Sequence, residues 1–322
     1  MESNCRGIDV SSINNGDAMG IRKMRSYYQI FEQIYSNPNV PLCEISQKTG
    51  LARNTVSKYT KEMYTRNVLV GPYLALKPAL NYQEHVYLMR VTEPFSVVDI
   101  LKKDSHVVYY AVTFGDWNIM VITDEVGDFS QVPVESVVYQ GVKGYCYTPK
   151  VGLNNWNESF RRMHEEIASF NGDPHKERRN ASLLEWGEDQ WKLCYAFKNN
   201  VRRKVIPTLK KIKVGYETYA KWMNTLKDHC TIHTGFYPEG YHTYMNYCFL
   251  VRSEYELMVK SLAALLPVTP FVAEIGNQML VMISASSPWV TRSLFCVFCD
   301  MKTKNIIKRY QKAGVLFCNY EK

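Results

Sequence analysis

The chain has 322 residues and a formal net charge of +8, with 46% hydrophobic and 22% charged residues. That length exceeds what one hydrophobic core serves, so about two to four compact units are expected, and no apolar run approaches the roughly 18 residues that span a bilayer. The balance of residues excludes a disordered chain, while the positive excess permits a polyanionic partner without requiring one.

Residues 1–20 are polar, lack the apolar core of a signal peptide and read as a flexible tail. From Ile21 to Tyr35, Met24, Tyr27, Tyr28, Phe31 and Ile34 recur at helical spacing, and Asn37-Pro38-Asn39 ends the segment. Pro41 opens a short second helix, Thr49-Gly50-Leu51 makes a turn, and a third helix runs from Arg53 to Arg66, which is the helix-turn-helix pattern. Val68 to Val70 and Tyr73 to Leu76, joined through Gly71-Pro72, are expected to form a hairpin wing.

The period then changes. His85 to Val91 reads as a strand, Pro94 to Lys103 as a helix, and Val107 to Thr113, Asn118 to Thr123 and Val134 to Tyr139 as further strands. This order suggests a ferredoxin-like α+β sandwich, with the amphipathic helix Trp156 to Phe170 filling its missing helical layer. The polar stretch 171–180 is the expected linker.

The second half repeats the scheme: helices at Trp186 to Asn200, Ile206 to Lys213 and Tyr216 to Asp228, a wing from Thr231 to Tyr241, and a strand from Tyr244. A helix (Glu254 to Leu266), strands at Phe271 to Ile275, Met279 to Ser284 and Ser293 to Cys299, a helix from Lys304 to Gln311 and a closing strand from Val315 follow. Residue patterns recur too. Thr55-Val56-Ser57-Lys58-Tyr59 is echoed by Thr218-Tyr219-Ala220-Lys221-Trp222, and the segment around Gly115 by that around Gly276, at nearly one offset.

The expected fold is therefore α+β, an internal duplication in which two winged helix-turn-helix domains alternate with two ferredoxin-like α/β sandwich domains. The boundaries are a tail at 1–20, a winged helix-turn-helix at 21–82, a ferredoxin-like domain at 83–150 and a helix with linker at 151–182. A divergent second winged helix spans 183–243 and a second ferredoxin-like domain 244–322.

In a helix-turn-helix the third helix enters the major groove of double-stranded DNA. Arg53, Asn54, Thr55, Ser57, Lys58 and Lys61 lie on or beside its exposed face, with Arg66 and Lys77 continuing a phosphate track, whereas Val56, Tyr59 and Met63 must pack inward. The bland alternative is a solvated polar face. In the second copy Glu217 would repel phosphate, so Arg202, Arg203, Lys210, Lys211 and Lys221 are candidates for backbone contact only.

The nine cysteines, such as Cys146 between Tyr145 and Tyr147, read as core residues of a reducing, cytoplasmic protein. Cys296-x-x-Cys299, read as part of a strand, points its thiols to opposite faces, and His229 and His233 are separated by the start of the wing, so no metal site is expected. No phosphate loop, dinucleotide fingerprint or nucleophile elbow is present. Neither a cofactor nor an enzymatic activity is expected on these grounds, and the 23 Tyr and 6 Trp are assigned to core and interface.

Residues Ile45 to Lys58, then Gly71-Pro72 and Lys77-Pro78-Ala79-Leu80-Asn81-Tyr82, resemble the winged helix and hinge of Lrp/AsnC (feast/famine) transcriptional regulators, with Asn81 in place of the hinge Gly. Gly115-Asp116-Trp117-Asn118 is similar to a stretch of that family's ligand domain. The resemblance implies a tandem pseudo-dimer that regulates transcription, further homodimerisation if one winged helix alone binds DNA, and a small effector near Gly115, Asp116, Trp117, Asn118, Gly276, Asn277 and Gln278. Ordinary hairpin turns account for the same residues.

Two rival readings stand beside it. Siroheme decarboxylases also combine Lrp-like winged helices with ferredoxin-like domains, and on such a scaffold His229, His233 or His242 with Arg202 and Arg203 would engage a carboxylated tetrapyrrole. The other rival is a regulator acting through protein partners.

Overall fold

The computed structural model describes residues 15–172, 174 and 181–319. Of the expected tail, residues 1–14 lie outside the described residues, and most of the linker expected at 171–180 does as well. No described helix is long and apolar enough to cross a membrane.

Helices α1 (Asn15–Ser36), α2 (Leu42–Thr49) and α3 (Arg53–Thr65) enclose a core of Tyr27, Ile30, Phe31, Ile34, Ile45, Val56 and Met63. Gly50 ends α2 in the left-handed region at φ 70°, sending its N–H to the Ser46 carbonyl. In the second half α6 (Glu188–Phe197), α7 (Val205–Ile212) and α8 (Tyr216–His229) close around Leu193, Phe197, Leu209, Trp222 and Leu226.

The wings depart from expectation. Neither folds back as a hairpin; each is one strand, β1 (Leu69–Leu76) and β6 (Cys230–Phe236), and they pair with each other, antiparallel, from Leu69 opposite Phe236 to Leu76 opposite Cys230. Gly71 is required at this seam, because its φ is 83° and a Cβ there would stand 2.5 Å from the His233 carbonyl oxygen.

The remaining strands are β2 (His85–Val91), β3 (Val107–Gly115), β4 (Ile119–Thr123), β5 (Val134–Tyr147), β7 (Met245–Ser253), β8 (Phe271–Ile275), β9 (Gln278–Ala285) and β10 (Ile307–Asn319). They form one closed antiparallel barrel in the order β10-β3-β4-β2-β5-β8-β9-β7, with β7 returning to β10. Two separate ferredoxin-like sandwiches, as expected from the sequence, are thus not what forms. The reason lies in the lengths of β5 and β10, 14 and 13 residues, which overrun their own half-sheets. Each satisfies the open edge of the other half, β5 against β8 and β10 against β3, so among the described residues the barrel sheet closes without an open edge.

Side chains alternate accordingly. Val86, Leu88, Ala111, Met120, Cys248 and Leu250 fill the barrel, while Tyr87, Met89, Val112, Phe249 and Val251 face outward. Helix α4 (Pro94–Leu101) covers the first half's outer face, and α9 (Glu256–Ala264) with α10 (Pro288–Thr303) covers the second's.

Two further expectations are corrected here. Helix α5 (Trp156–Ala168) packs Phe160, Met163 and Ile167 on the second half beside α10, while Phe129, Val132 and Val134 take the layer it was expected to fill. Ser293 to Cys299 belongs to α10 and Lys308 to Gln311 to β10, a helix and a strand exchanged relative to the sequence reading. Pro288 at the first turn and the Ser287 hydroxyl accepting the Val290 N–H start that helix.

Candidate functional site

At one barrel end β2, β3, β7 and β8 begin and β4, β5, β9 and β10 finish, and the β1–β6 sheet and α6 lie over this mouth. Between them is a cavity of about 690 Å³. Its wall is mostly apolar, with Leu74, Leu76, Val86, Met120, Phe271, Ile275, Leu280 and Met282, and both halves of the chain contribute. That size and lining are typical of a small-molecule site with a few converging polar groups.

The polar groups are unevenly placed. The Lys143 ammonium of β5 pairs with the carboxylate of Glu84, the residue just before β2, each side chain only 12% exposed. Burial disfavours the ammonium, but Glu84 outweighs it and holds Lys143 firmly protonated. The Tyr82 hydroxyl stands 3.4 Å from Glu84, and Asp124, Tyr195 and Lys198 complete this side of the wall, with the Lys198 ammonium 5.4 Å from the Tyr195 ring. Across the mouth the lining is polar and mostly uncharged: Asn246, Ser284, Thr269, Tyr237 and Tyr241, with the exposed His242 on the rim.

Behind the wall His233 is 1% exposed. Its Nδ1 lies 2.5 Å from the Thr148 hydroxyl and its Nε2 2.8 Å from that of Thr231. Burial, then Lys143, lowers its pKa to about 3, so the imidazole is neutral at physiological pH. Burial also raises the pKa of Tyr73, Tyr82, Tyr109 and Tyr237, which leaves protonated hydroxyls around the cavity. The Cys146 thiol is pushed up to about 11 and that of Cys194 to about 12, both chiefly by burial, which removes them as nucleophiles at neutral pH.

None of the residues proposed for DNA contact lines this cavity. Arg53, Asn54, Ser57, Lys58 and Lys61 are exposed on the outer face of α3, with Thr55 half-buried. Arg66 lies 3.7 Å from Glu62, and the Lys77 ammonium donates to the Lys227 carbonyl at 2.6 Å. In the second copy Arg202 is half-buried and donates to the Pro38 carbonyl, tying the two helical units together, and Arg203 donates to the Ala196 carbonyl. Lys210 and Lys211 are exposed in the last turn of α7, and Lys221 pairs with Glu217 at 2.8 Å.

The candidate effector residues occupy turns at the opposite barrel end. The Asp116 carboxylate accepts the Lys312 N–H at 2.7 Å, Asn118 brackets the Val91 backbone, and Trp117 is buried in the barrel core. Gly276 turns at φ 56°, Asn277 accepts from the Tyr139 hydroxyl, and Gln278 is buried. Of the histidines named for the rival enzyme, His242 lines the cavity and His233 abuts it, whereas His229 lies edge-on to Trp186 outside it.

Cys296 and Cys299 stand one helical turn apart on α10, both exposed, rather than on opposite faces of a strand. Among the described residues no group of three His, Cys, Asp or Glu side chains is placed to hold a metal ion. The sequence reading missed Glu84 and Lys143 altogether. Lys143, between Val142 and the run Gly144-Tyr145-Cys146-Tyr147, was the available signal, since a lysine is rarely buried unless paired.

No family model matches the chain, and no curated protein matches it. Among solved structures, the crystal structure of the siroheme decarboxylase NirDL is similar over 91% of this chain and 91% of its own, with a TM-score of 0.50 and 10% identity. The same enzyme in complex with an iron-uroporphyrin III analogue aligns over 93% and 92%, with a TM-score of 0.48 and 9% identity. Agreement at such low identity is agreement in fold. It corrects the reading as an Lrp/AsnC-type, non-enzymatic transcription regulator with DNA as partner: the fold shared along nearly the whole chain is one that a siroheme decarboxylase adopts, and the wing strands are spent on each other and on roofing a cavity.

Proposed function

We propose that this chain binds a carboxylated tetrapyrrole in the cavity beneath the wing sheet and removes carboxyl groups from it as CO₂. The observation that carries this reading is the cavity itself: about 690 Å³, walled by both halves and roofed by β1 and β6 in a fold shared with a siroheme decarboxylase. A flat macrocycle needs broad apolar walls, which Leu74, Met120, Phe271 and Met282 supply, and its carboxylates need donors at the edge. Lys143, Lys198 and the protonated Tyr82 and Tyr195 supply those. Any iron belongs to the guest, as part of the substrate.

The test is direct. Titration of the purified chain with siroheme or iron-uroporphyrin III is expected to shift the guest's visible absorption band at micromolar concentrations. Incubation with siroheme, followed by mass spectrometry, is expected to show successive losses of CO₂. Absence of both the spectral shift and the mass loss overturns the reading.

A further inference from the structure

The charged pair at the cavity wall exists in only one half. His85 pairs with Val142 in the first half as Tyr247 pairs with Gly314 in the second, and Lys143 opposes Ile275 as Val315 opposes Thr113. Lys143 therefore corresponds to Val315 and Glu84 to Asn246. A barrel built twice over carries a buried ion pair at one position and, at its counterpart, a valine and an asparagine that accepts from the Ser284 hydroxyl at 2.6 Å.

A buried ion pair stabilises little beyond what apolar side chains of equal size achieve, and the second half manages without one. The first half's pair also has a particular setting. It borders the main cavity on one side, and on the other a water-sized space of about 10 Å³ lined by Leu76, Lys77, Pro78 and Tyr82 as well as the pair itself. Lys77, one of the residues lining this space, is half-exposed.

Resting on the decarboxylase reading, we infer that Glu84 is the general acid of the reaction and Lys143 the cation that receives the reacting carboxylate. When a guest carboxylate takes its place at the Lys143 ammonium, two carboxylates face one cation, and Glu84 takes up a proton from solvent. The bond from the carboxyl carbon to the guest's side chain then breaks and CO₂ leaves. The bonding pair remains on the side-chain carbon, which must be attached to the conjugated ring to spread that charge, and this carbon takes the proton from Glu84. Glu84 returns as a carboxylate to Lys143. One carboxylate and one proton become one C–H bond and CO₂, with no oxidant or reductant.

The other titratable groups facing the pair do not account for a proton taken up on binding. Tyr82, Cys146 and Tyr195 are held protonated by burial, His233 neutral behind the wall, and Glu274 is engaged by Lys260 and the Tyr145 N–H. Asp124 lies 3.1 Å from the His106 imidazole.

Calorimetric titration with iron-uroporphyrin III at neutral pH, in two buffers of different ionisation enthalpy, counts protons taken up on binding. The wild-type chain is expected to take up about one. Glu84→Gln is expected to bind the probe within a few-fold of wild type with no proton uptake, and to lose siroheme turnover by about 100-fold or more. Because that variant leaves Lys143 without its partner, the Glu84→Gln/Lys143→Met double variant is measured beside it, and weaker binding without proton uptake is expected. Unchanged proton uptake in either variant, or turnover within a few-fold of wild type in Glu84→Gln, overturns the assignment while leaving the decarboxylase reading intact. No binding by the wild-type chain overturns both.

Discussion

Tyr73 of β1 stacks on His233 of β6, with ring centroids 5.2 Å apart and planes 29° from parallel, across the seam where the wings of the two halves meet. Tyr73 lines the cavity and His233 buttresses it from behind, so the contact joining the halves also forms the roof of the site. Tyr73→Ala removes the stacked ring and enlarges the cavity. A loss of about 3 kcal/mol in unfolding free energy by urea titration is expected, with weakened guest binding.

The neutral burial of His233 sets a pH dependence. Its folded pKa of about 3 lies below the ordinary 6.5, so the unfolded chain binds the extra proton over the interval between them. The contribution is fully present above about pH 6.5 and is lost as pH falls towards 3, on the order of a few kcal/mol across the interval. His233→Gln is expected to flatten that part of the curve, measured as midpoint urea concentration against pH. A slope equal to wild type between pH 6.5 and 4 contradicts the assignment.

Breaking the Lys143–Glu84 pair differs from replacing it. Lys143→Met leaves a buried carboxylate without its cation and is expected to cost about 3–5 kcal/mol, whereas Lys143→Met/Glu84→Gln is expected to lie closer to wild type. Denaturant curves of the two variants check this ordering, and a double variant less stable than the single one refutes it.

Gly115 sits at φ 138°, where a Cβ would stand 2.5 Å from the Lys312 carbonyl oxygen and 2.9 Å from the Ala313 Cα. Gly115→Ala is expected to destabilise by about 2 kcal/mol or more through the β3–β10 seam rather than through a ligand. Thermal unfolding with and without iron-uroporphyrin III separates the two. The melting temperature should fall, and the increment added by the guest should stay as in wild type.

Helix order was readable in the amino-acid pattern because its evidence is local. Tyr27, Phe31 and Ile34 repeat at the helical period, Gly50 punctuates the turn, and Val56 and Met63 mark the inward face of α3. The exchange of helix and strand at the C-terminal end has a local cause too. Leu294 to Cys299 is an apolar, aromatic run that suits a strand by composition, and the Ser287 cap with Pro288 that starts a helix lies several residues earlier. Both barrel faces are apolar, as Val86 and Leu88 inside and Tyr87 and Met89 outside make plain, and a sheet buried on both faces requires a second layer within the barrel.

Composition and periodicity set the helical units and most strands, since each follows from residues within about ten positions of one another, and the twofold repetition is legible by comparing one local pattern with another. Strand partners are another matter. Whether β1 folds back on itself or crosses to β6, and whether β5 stops at its own sheet or runs on to β8, depends on edges supplied by residues more than a hundred positions away. The site follows those pairings. Glu84 and Lys143 meet because β2 and β5 are neighbours, and Tyr73 meets His233 because the wings pair, so the cavity exists only once the halves have closed on each other.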